Sequence, residues 1–265
     1  MGDVNRFGLN RKIPSIVRRQ VRQRCKFGCV VCGNPFYEYH HHDPPFADAR
    51  THDASGIILL CHLCHGKLTR GHLSSETVSA HADNPTKNIP EAFDVGLDHP
   101  SIRLGQVDIG NTSIIIYLDG IDVLAIRQPE FADGPFRLSG YFADSRGNVT
   151  LTIKDNQWQA NADSWDVEIE GTRITVREQH GRIALRLRTE PPNLLVVERL
   201  DMQYGVYRLK CDGAVFRIIM THRGFEIPVA GGTVDSCRAA IVVSGEMAAI
   251  GFQCREPMSI RLGRQ

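Results

Sequence analysis

The sequence predicts an α+β fold in two parts, a small N-terminal module of two short strands and a helix followed by a larger C-terminal all-β domain. Three observations carry this. Two Cys-x-x-Cys pairs, Cys29 with Cys32 and Cys61 with Cys64, bracket an insert of 28 residues. From Ser101 onward, short alternating or β-branched runs succeed one another with turn residues between them, at the roughly 8 to 12 residue spacing of all-β architecture. Between these textures, NPTKNIPEAFDVGLDHP mixes proline, asparagine and glycine without periodicity, which marks a boundary. The expected organisation is a flexible start over 1–12, the module over 13–83, a linker over 84–100 and the all-β domain over 101–265.

Composition sets the bounds. With 265 residues, 42% hydrophobic and 23% charged, the chain has the make-up of an ordinary globular protein large enough for two cores. Its net charge of +1 is unevenly spread: residues 1–75 carry 11 Lys and Arg against 5 Asp and Glu, and residues 76–265 carry 20 against 25. The basic excess therefore lies on the module, where a phosphate backbone would need it. No apolar run approaches the roughly 20 residues of a membrane helix, and no charged-then-apolar leader opens the chain, so no membrane partner is expected. Outside the pairs, Cys25, Cys211, Cys237 and Cys254 are scattered through apolar stretches. That pattern favours a reducing compartment and a cytoplasmic location.

In the module, IPSIVRRQVRQRC places Ile16, Val17, Val21 and Cys25 on one helical face, with Ser15 as a cap and Gly28 after the last turn. Arg18, Arg19 and Arg22 fall mostly on the other faces. They read either as a solvated surface or, beside a metal module, as phosphate contacts. Phe36 to Tyr39 reads as a strand delivering His40 and His41, Ile57 to Leu60 as a second strand, and Cys61 to Thr69 as a helix ended by Gly71. Lys67 and Arg70 face out from that helix, either as ordinary surface cations or as a point charge and a fork for phosphate. A further short helix is expected over Ser74 to Asp83.

Beyond Ser101, the tight connections at Ser145 to Asn148 and Glu170 to Thr172 favour antiparallel hairpins in a sandwich or roll. The stretch GGTVDSCRAAIVVSG reads more like a coil of a β-solenoid, which stays as the alternative. Trp158, Trp165, Phe131, Phe136 and Phe142 are expected in the core.

Four thiolates in two Cys-x-x-Cys turns suit tetrahedral zinc, with sulfurs about 2.3 Å from the ion in a closed, structural site. Cys29, Cys32, Cys61 and Cys64 are thus the expected Zn²⁺ ligands. The run His40-His41-His42-Asp43 and the lone His65 remain over.

Taken together, Cys-x-x-Cys, His-His and Cys-x-x-Cys-His resemble the HNH endonucleases of the zinc-stabilised ββα-metal type, over roughly residues 11–80. The resemblance implies metal-dependent hydrolysis of DNA phosphodiester bonds, with His41 as general base and His40 and His65 as ligands of a catalytic Mg²⁺, Mn²⁺ or Ni²⁺. It departs at Gly56, where the family's Asn would fall. His52 or Asp53 could take over that role, although the plainer reading of each is a solvated loop.

The expected function is therefore a metal-dependent nuclease of little sequence preference, acting on nucleic acid, most simply DNA. By analogy with prokaryotic defence or mobile-element systems it would be gated by its β-domain or a partner, and the β-domain is a candidate surface for a protein partner or for self-association. The alternative is a catalytically weak or inactive zinc module that only binds nucleic acid or protein.

Overall fold

The structure, a computed structural model, describes residues 4–86, 89–93, 98–245, 247–255 and 258–262. Residues 1–3 of the expected start, and 87–88 and 94–97 of the expected linker, lie outside the described residues. The chain divides into two compact units: Met1–Glu91 with Trp165–Ile169, and Ala92–Ser164 with Glu170–Gln265. Thus a five-residue piece far along the sequence belongs to the N-terminal unit, which the expected boundaries did not foresee.

The first unit runs α1 (Ser15–Arg24), β1 (Glu38–His41), β2 (Ile57–Leu60), α2 (His62–Thr69) and α3 (Ser75–Asp83). Helix α1 starts after Pro14, which has extended backbone and makes no side-chain cap, so Ser15 is the first helical residue and not its cap. The buried face is set by Val21 and Cys25, with Val17 partly covered. Ile16, expected on that face, is exposed. Lys26 and Phe27 both take positive φ, and Phe27 N–H returns to the Arg22 carbonyl at 2.9 Å, closing the helix before Gly28. Val21, Cys25, Val30, Ile57 to Leu60 and Val78 form one core around the cysteine pairs.

Strands β1 and β2 pair antiparallel, with His40 opposite Ile58 and His41 opposite Ile57. Val30 N–H donates to the Leu59 carbonyl at 3.0 Å, so the first cysteine turn rests on the strand that leads into the second. Residues 4–11, within the expected flexible start, make contacts with the module. Asn5 Nδ2 donates to the Phe46 and Ala49 carbonyls at 2.6 and 2.7 Å, Arg11 stacks on Phe46, and Val4 bridges Asn10. Part of the expected linker is also tied down: Thr86 N–H donates to the Val30 carbonyl and Ile89 N–H to the Gly33 carbonyl, each at 3.0 Å.

After β3 (Glu91–Ala92), at the division, come β4 (Ser101–Leu104), β5 (Val107–Gly110), β6 (Ile114–Leu118), β7 (Ile121–Arg127), β8 (Arg137–Ala143), β9 (Val149–Lys154) and β10 (Gln157–Ala160). Strand β11 (Asp166–Glu170) holds the piece of the first unit. It is followed by β12 (Arg173–Gln179), β13 (Arg182–Glu190), β14 (Leu194–Tyr204), β15 (Tyr207–Cys211), β16 (Phe216–Met220), β17 (Phe225–Asp235), β18 (Cys237–Ser244), β19 (Met247–Cys254) and β20 (Ser259–Leu262).

In the second unit one sheet has the order β19-β18-β6-β7-β8-β9-β10, and the other runs from β12 through β13 and β14 to β17. The long strands β14 and β17 flank two hairpins, β4–β5 and β15–β16. These hairpins meet tip to tip: a Cβ on Gly105 would stand 3.3 Å from the Ala214 carbonyl oxygen, and Gly105 has φ +61°. Only glycine suits both demands.

Most pairings are antiparallel, as the tight turns predicted. The parallel exceptions among the described strands are β4 with β14, β5 with β17 and β6 with β18, and the last two form a corner. Strands β5 and β17 run parallel in one sheet and continue, through Asn111 and Ser236, into β6 and β18, parallel in the other. The stretch that reads like a solenoid coil is thus a sheet-crossing corner. The register sets Cys237 opposite Cys254, and the two form a disulfide, so the cysteine argument for a reducing compartment loses its footing. Phe142 and Trp158 are buried as expected, whereas Phe131 is exposed. No helix among the described residues is long and apolar enough to cross a membrane.

Candidate metal and imidazole site

The four expected cysteines come together. Their sulfurs all lie within 4.8 Å of one another, and Cys32 Sγ is 3.7 Å from Cys61 Sγ. A tetrahedron with about 2.3 Å metal–sulfur bonds has an edge of about 3.8 Å, so the donor set can hold a metal such as zinc. Gly33, at φ +75°, turns the chain after the first pair, and Cys61 caps α2, its sulfur accepting from Cys64 N–H at 3.5 Å.

Beside this knot lie four imidazoles in two pairs. Successive strand residues project to opposite faces, and the contacts of β1 follow that rule. On one face, His40 Nδ1 lies 3.1 Å from His65 Nε2. Glu38, on the same face two residues earlier, places its carboxylate 3.3 Å from His65 Nδ1 and 3.4 Å from His62 Nδ1. A carboxylate at Nδ1 holds the proton there and leaves the Nε2 lone pair directed at His40, the carboxylate–histidine arrangement common behind metal ligands. Two imidazole nitrogens 3.1 Å apart, each about 2.1 Å from one ion, subtend an angle near 95°, which a divalent cation accepts. Burial, with His65 and His42 nearby, lowers the His40 pKa from its ordinary 6.5 to about 4, keeping its ring neutral and able to donate to a metal. Glu38 had carried no assignment; its period-two spacing to His40 was the available signal.

On the other face, His41 Nε2 lies 3.0 Å from His52 Nδ1, and His52 Nε2 lies 2.8 Å from the Asn10 carbonyl oxygen. A carbonyl only accepts, so His52 carries its proton on Nε2. Its Nδ1 then accepts from His41 Nε2–H, leaving His41 Nδ1 as the nitrogen with a free lone pair. Burial, then His52 and Arg11, lowers the His41 pKa. Phe46 packs edge-on against the His41 ring. His52, passed over in the sequence as a solvated loop residue, is the partner of His41. His42 leans the other way, its Nε2 2.8 Å from Ser79 Oγ.

Position 56 leaves no room for a side chain. A Cβ there would meet the Asp43 carbonyl oxygen at 2.0 Å, and the Gly56 carbonyl accepts from both His42 and Asp43 N–H. The loop closes too tightly onto the end of β1 for any side chain.

The basic residues separate into two groups. Lys67 and Arg70 are exposed on α2 and its cap, with no carboxylate within ion-pair distance among the described residues. Arg22 corrects the expectation of a phosphate-facing arginine: its side chain is 4% exposed and gives two 2.8 Å hydrogen bonds to Asp166, with further bonds to Tyr39 Oη at 2.7 Å and Glu168 at 3.0 Å. Burial opposes its charge, but the Asp166 hydrogen bonds together with the electrostatic attraction of Tyr39, Asp166 and Tyr37 outweigh that and raise its pKa. Arg19 stacks on Trp165 at 4.4 Å and donates to Gln23, and Arg18 stands 3.9 Å from Glu168. Helix α1 turns its arginines largely toward the 165–169 piece, because an acidic, aromatic segment lies there to receive them.

These features define a chain that is largely β, with four cysteines that could hold a metal such as zinc and two imidazole pairs built around strand β1. No protein-family model, curated protein or solved structure matches it.

Proposed function

We propose that the N-terminal unit is a metal-dependent endonuclease of the HNH type acting on DNA. The observation that carries this reading is the split of adjacent histidines across β1, with His40 and His65 3.1 Å apart on one face and His41 held by His52 on the other. Phosphodiester hydrolysis proceeds in line, with attacking and departing oxygens on opposite sides of phosphorus. An ion seat on one face of a strand and a base on the other fit that demand.

In this reading Cys29, Cys32, Cys61 and Cys64 hold structural Zn²⁺, and His40 and His65 hold Mg²⁺, Mn²⁺ or Ni²⁺. The bound cation supplies charge neutralisation at the phosphate and the departing oxygen. His41 Nδ1 takes a proton from water, whose oxygen bonds to phosphorus as the scissile P–O bond breaks, and solvent protonates the departing alkoxide. His52 keeps the His41 ring in the tautomer that leaves Nδ1 open. Lys67 and Arg70 contact phosphates, which implies little sequence preference.

The test is plasmid nicking with each of the three metals by the native chain and by His41→Ala. Loss of product in the variant supports the reading; equal nicking by both, or none under every metal, sinks it. The binding-only reading draws on the absent motif Asn at Gly56. It predicts salt-sensitive DNA retention that survives His41→Ala, with no metal-dependent product.

A further inference from the structure

The second unit contains a cleft at the corners where β5 passes into β6 and β17 into β18. Asn111, with φ +43°, and Ser236, with φ +52°, make those corners and line it. Left-handed backbone outside glycine is uncommon and gathers at functional sites, and for serine it is the less expected of the two. The cleft encloses about 640 Å³, within the range of small-molecule sites. Among the described residues no acidic side chain lines it. Its walls carry Ser113, Gln128 and Gln253 together with two arginines, Arg238 and Arg255.

Neither arginine has a carboxylate within ion-pair distance among the described residues; Arg238 reaches only the Gln253 side-chain oxygen, at 3.5 Å. That is unlike Arg103, Arg127, Arg137, Arg173, Arg208 and Arg217 of the same unit, each paired with a carboxylate. The nearby Asp235 carboxylate is engaged by Asn111 Nδ2 and Ser236 Oγ. Each of the two arginines directly follows a half of the Cys237–Cys254 disulfide, and Arg255 N–H donates to the Ser236 carbonyl at 3.1 Å. The strands bearing both guanidinium groups are thus tied together at the cleft. Sharing Ser113, Gln128 and Arg238 with this cleft is a second hollow of about 460 Å³, lined by Ile114, Ala125 and Ile126 together with Arg137 and the Arg127–Asp122 ion pair.

We infer that this cleft binds a phosphate-bearing small molecule, with its phosphate between Arg238 and Arg255 and an apolar or aromatic portion in the adjoining hollow. Two guanidinium forks and a donor-rich wall match the several oxygens of one phosphate. The disulfide holds the two forks at a fixed separation before the ligand arrives, which lowers the ordering cost of binding.

Calorimetric titration of the full chain at low salt, with inorganic phosphate and with adenosine monophosphate, tests this. Saturable binding is expected for both, tighter for the nucleotide. Arg238→Gln and Arg255→Gln should each weaken it by about tenfold, the loss of one charge-assisted contact, whereas Arg103→Gln should leave it unchanged. Replacing both Cys237 and Cys254 by Ser should weaken it several-fold. No saturable binding to the native chain, or equal binding by the Arg238→Gln, Arg255→Gln double variant, overturns the site. Nucleotide affinity no higher than that of phosphate overturns the apolar subsite, and unchanged affinity in the cysteine variant overturns the pinning role.

Discussion

His41 and His52 share a 3.0 Å nitrogen–nitrogen contact whose direction is fixed by a third group, the Asn10 carbonyl. In the proposed reaction this makes His52 a positioning residue. His52→Ala should lower turnover about ten- to a hundredfold, as losses behind a working ligand or base commonly do, with little change in DNA affinity. His52→Asn, which keeps an acceptor for His41 Nε2–H, should recover part of the loss. Nicking rates at saturating DNA, alongside filter binding, separate the two effects; equal losses in both variants would remove the positioning role.

Placing an Asn at position 56, as in the HNH motif the module resembles, should harm the protein. A side chain at 56 meets the Asp43 carbonyl oxygen, so Gly56→Asn should destabilise the first unit by about 1–3 kcal/mol, the range for overpacking, and should not raise nicking. Urea denaturation followed by Trp165 fluorescence measures this.

Asp166→Ala leaves Arg22 buried and charged without its main partner, and should cost about 3–5 kcal/mol. Arg22→Met combined with Asp166→Leu should restore much of the loss, since both charges then leave together. By the same reasoning residues 1–91 alone should fold poorly, a result circular dichroism would give directly.

One zinc per chain is expected by native mass spectrometry. Cys61→Ser, or a strong chelator, should unfold the first unit while leaving β signal from the second, because a core this small depends on its metal.

Asp212 gives a pH signature in the second unit. Its carboxylate accepts from Val215 N–H, Arg217 and Ala214 N–H, which lowers its pKa from 3.8 to about 2. The unfolded chain therefore takes up this proton first as pH falls. The contribution is complete above about pH 4 and is lost by about pH 2. Asp212→Asn should flatten that segment of the stability profile, as acid titration of the midpoint would show; an unchanged slope would count against it.

Legibility in the sequence followed the range of the interaction. The cysteine pairs, β2, α2 and α3 were readable because their signals lie within a few residues: ligand spacing, a run of Ile and Leu, and Ser74 accepting from Thr77 N–H. In the second unit the β texture was readable from the alternating runs, but β14 extends well past its apolar Leu194–Val197, since the β4–β5 hairpin pairs along its first part and the β15–β16 hairpin along its second. The His40 and His65 pair came from motif resemblance, and the structure sets those two rings together. It does not join His41 to them; it gives His41 to His52.

What the sequence by itself determined is chemistry carried by local spacing: a four-thiolate seat, histidines on one strand, and β texture after residue 100. Tertiary structure alone decided which charges are usable and which glycine is obligatory. Arg22 reads as a surface cation until Asp166, 144 residues away, closes over it, and Gly56 reads as a lost Asn until the Asp43 carbonyl occupies the space. Burial and steric exclusion belong to pairs of residues distant in the chain, and nothing in either residue's neighbourhood records its partner.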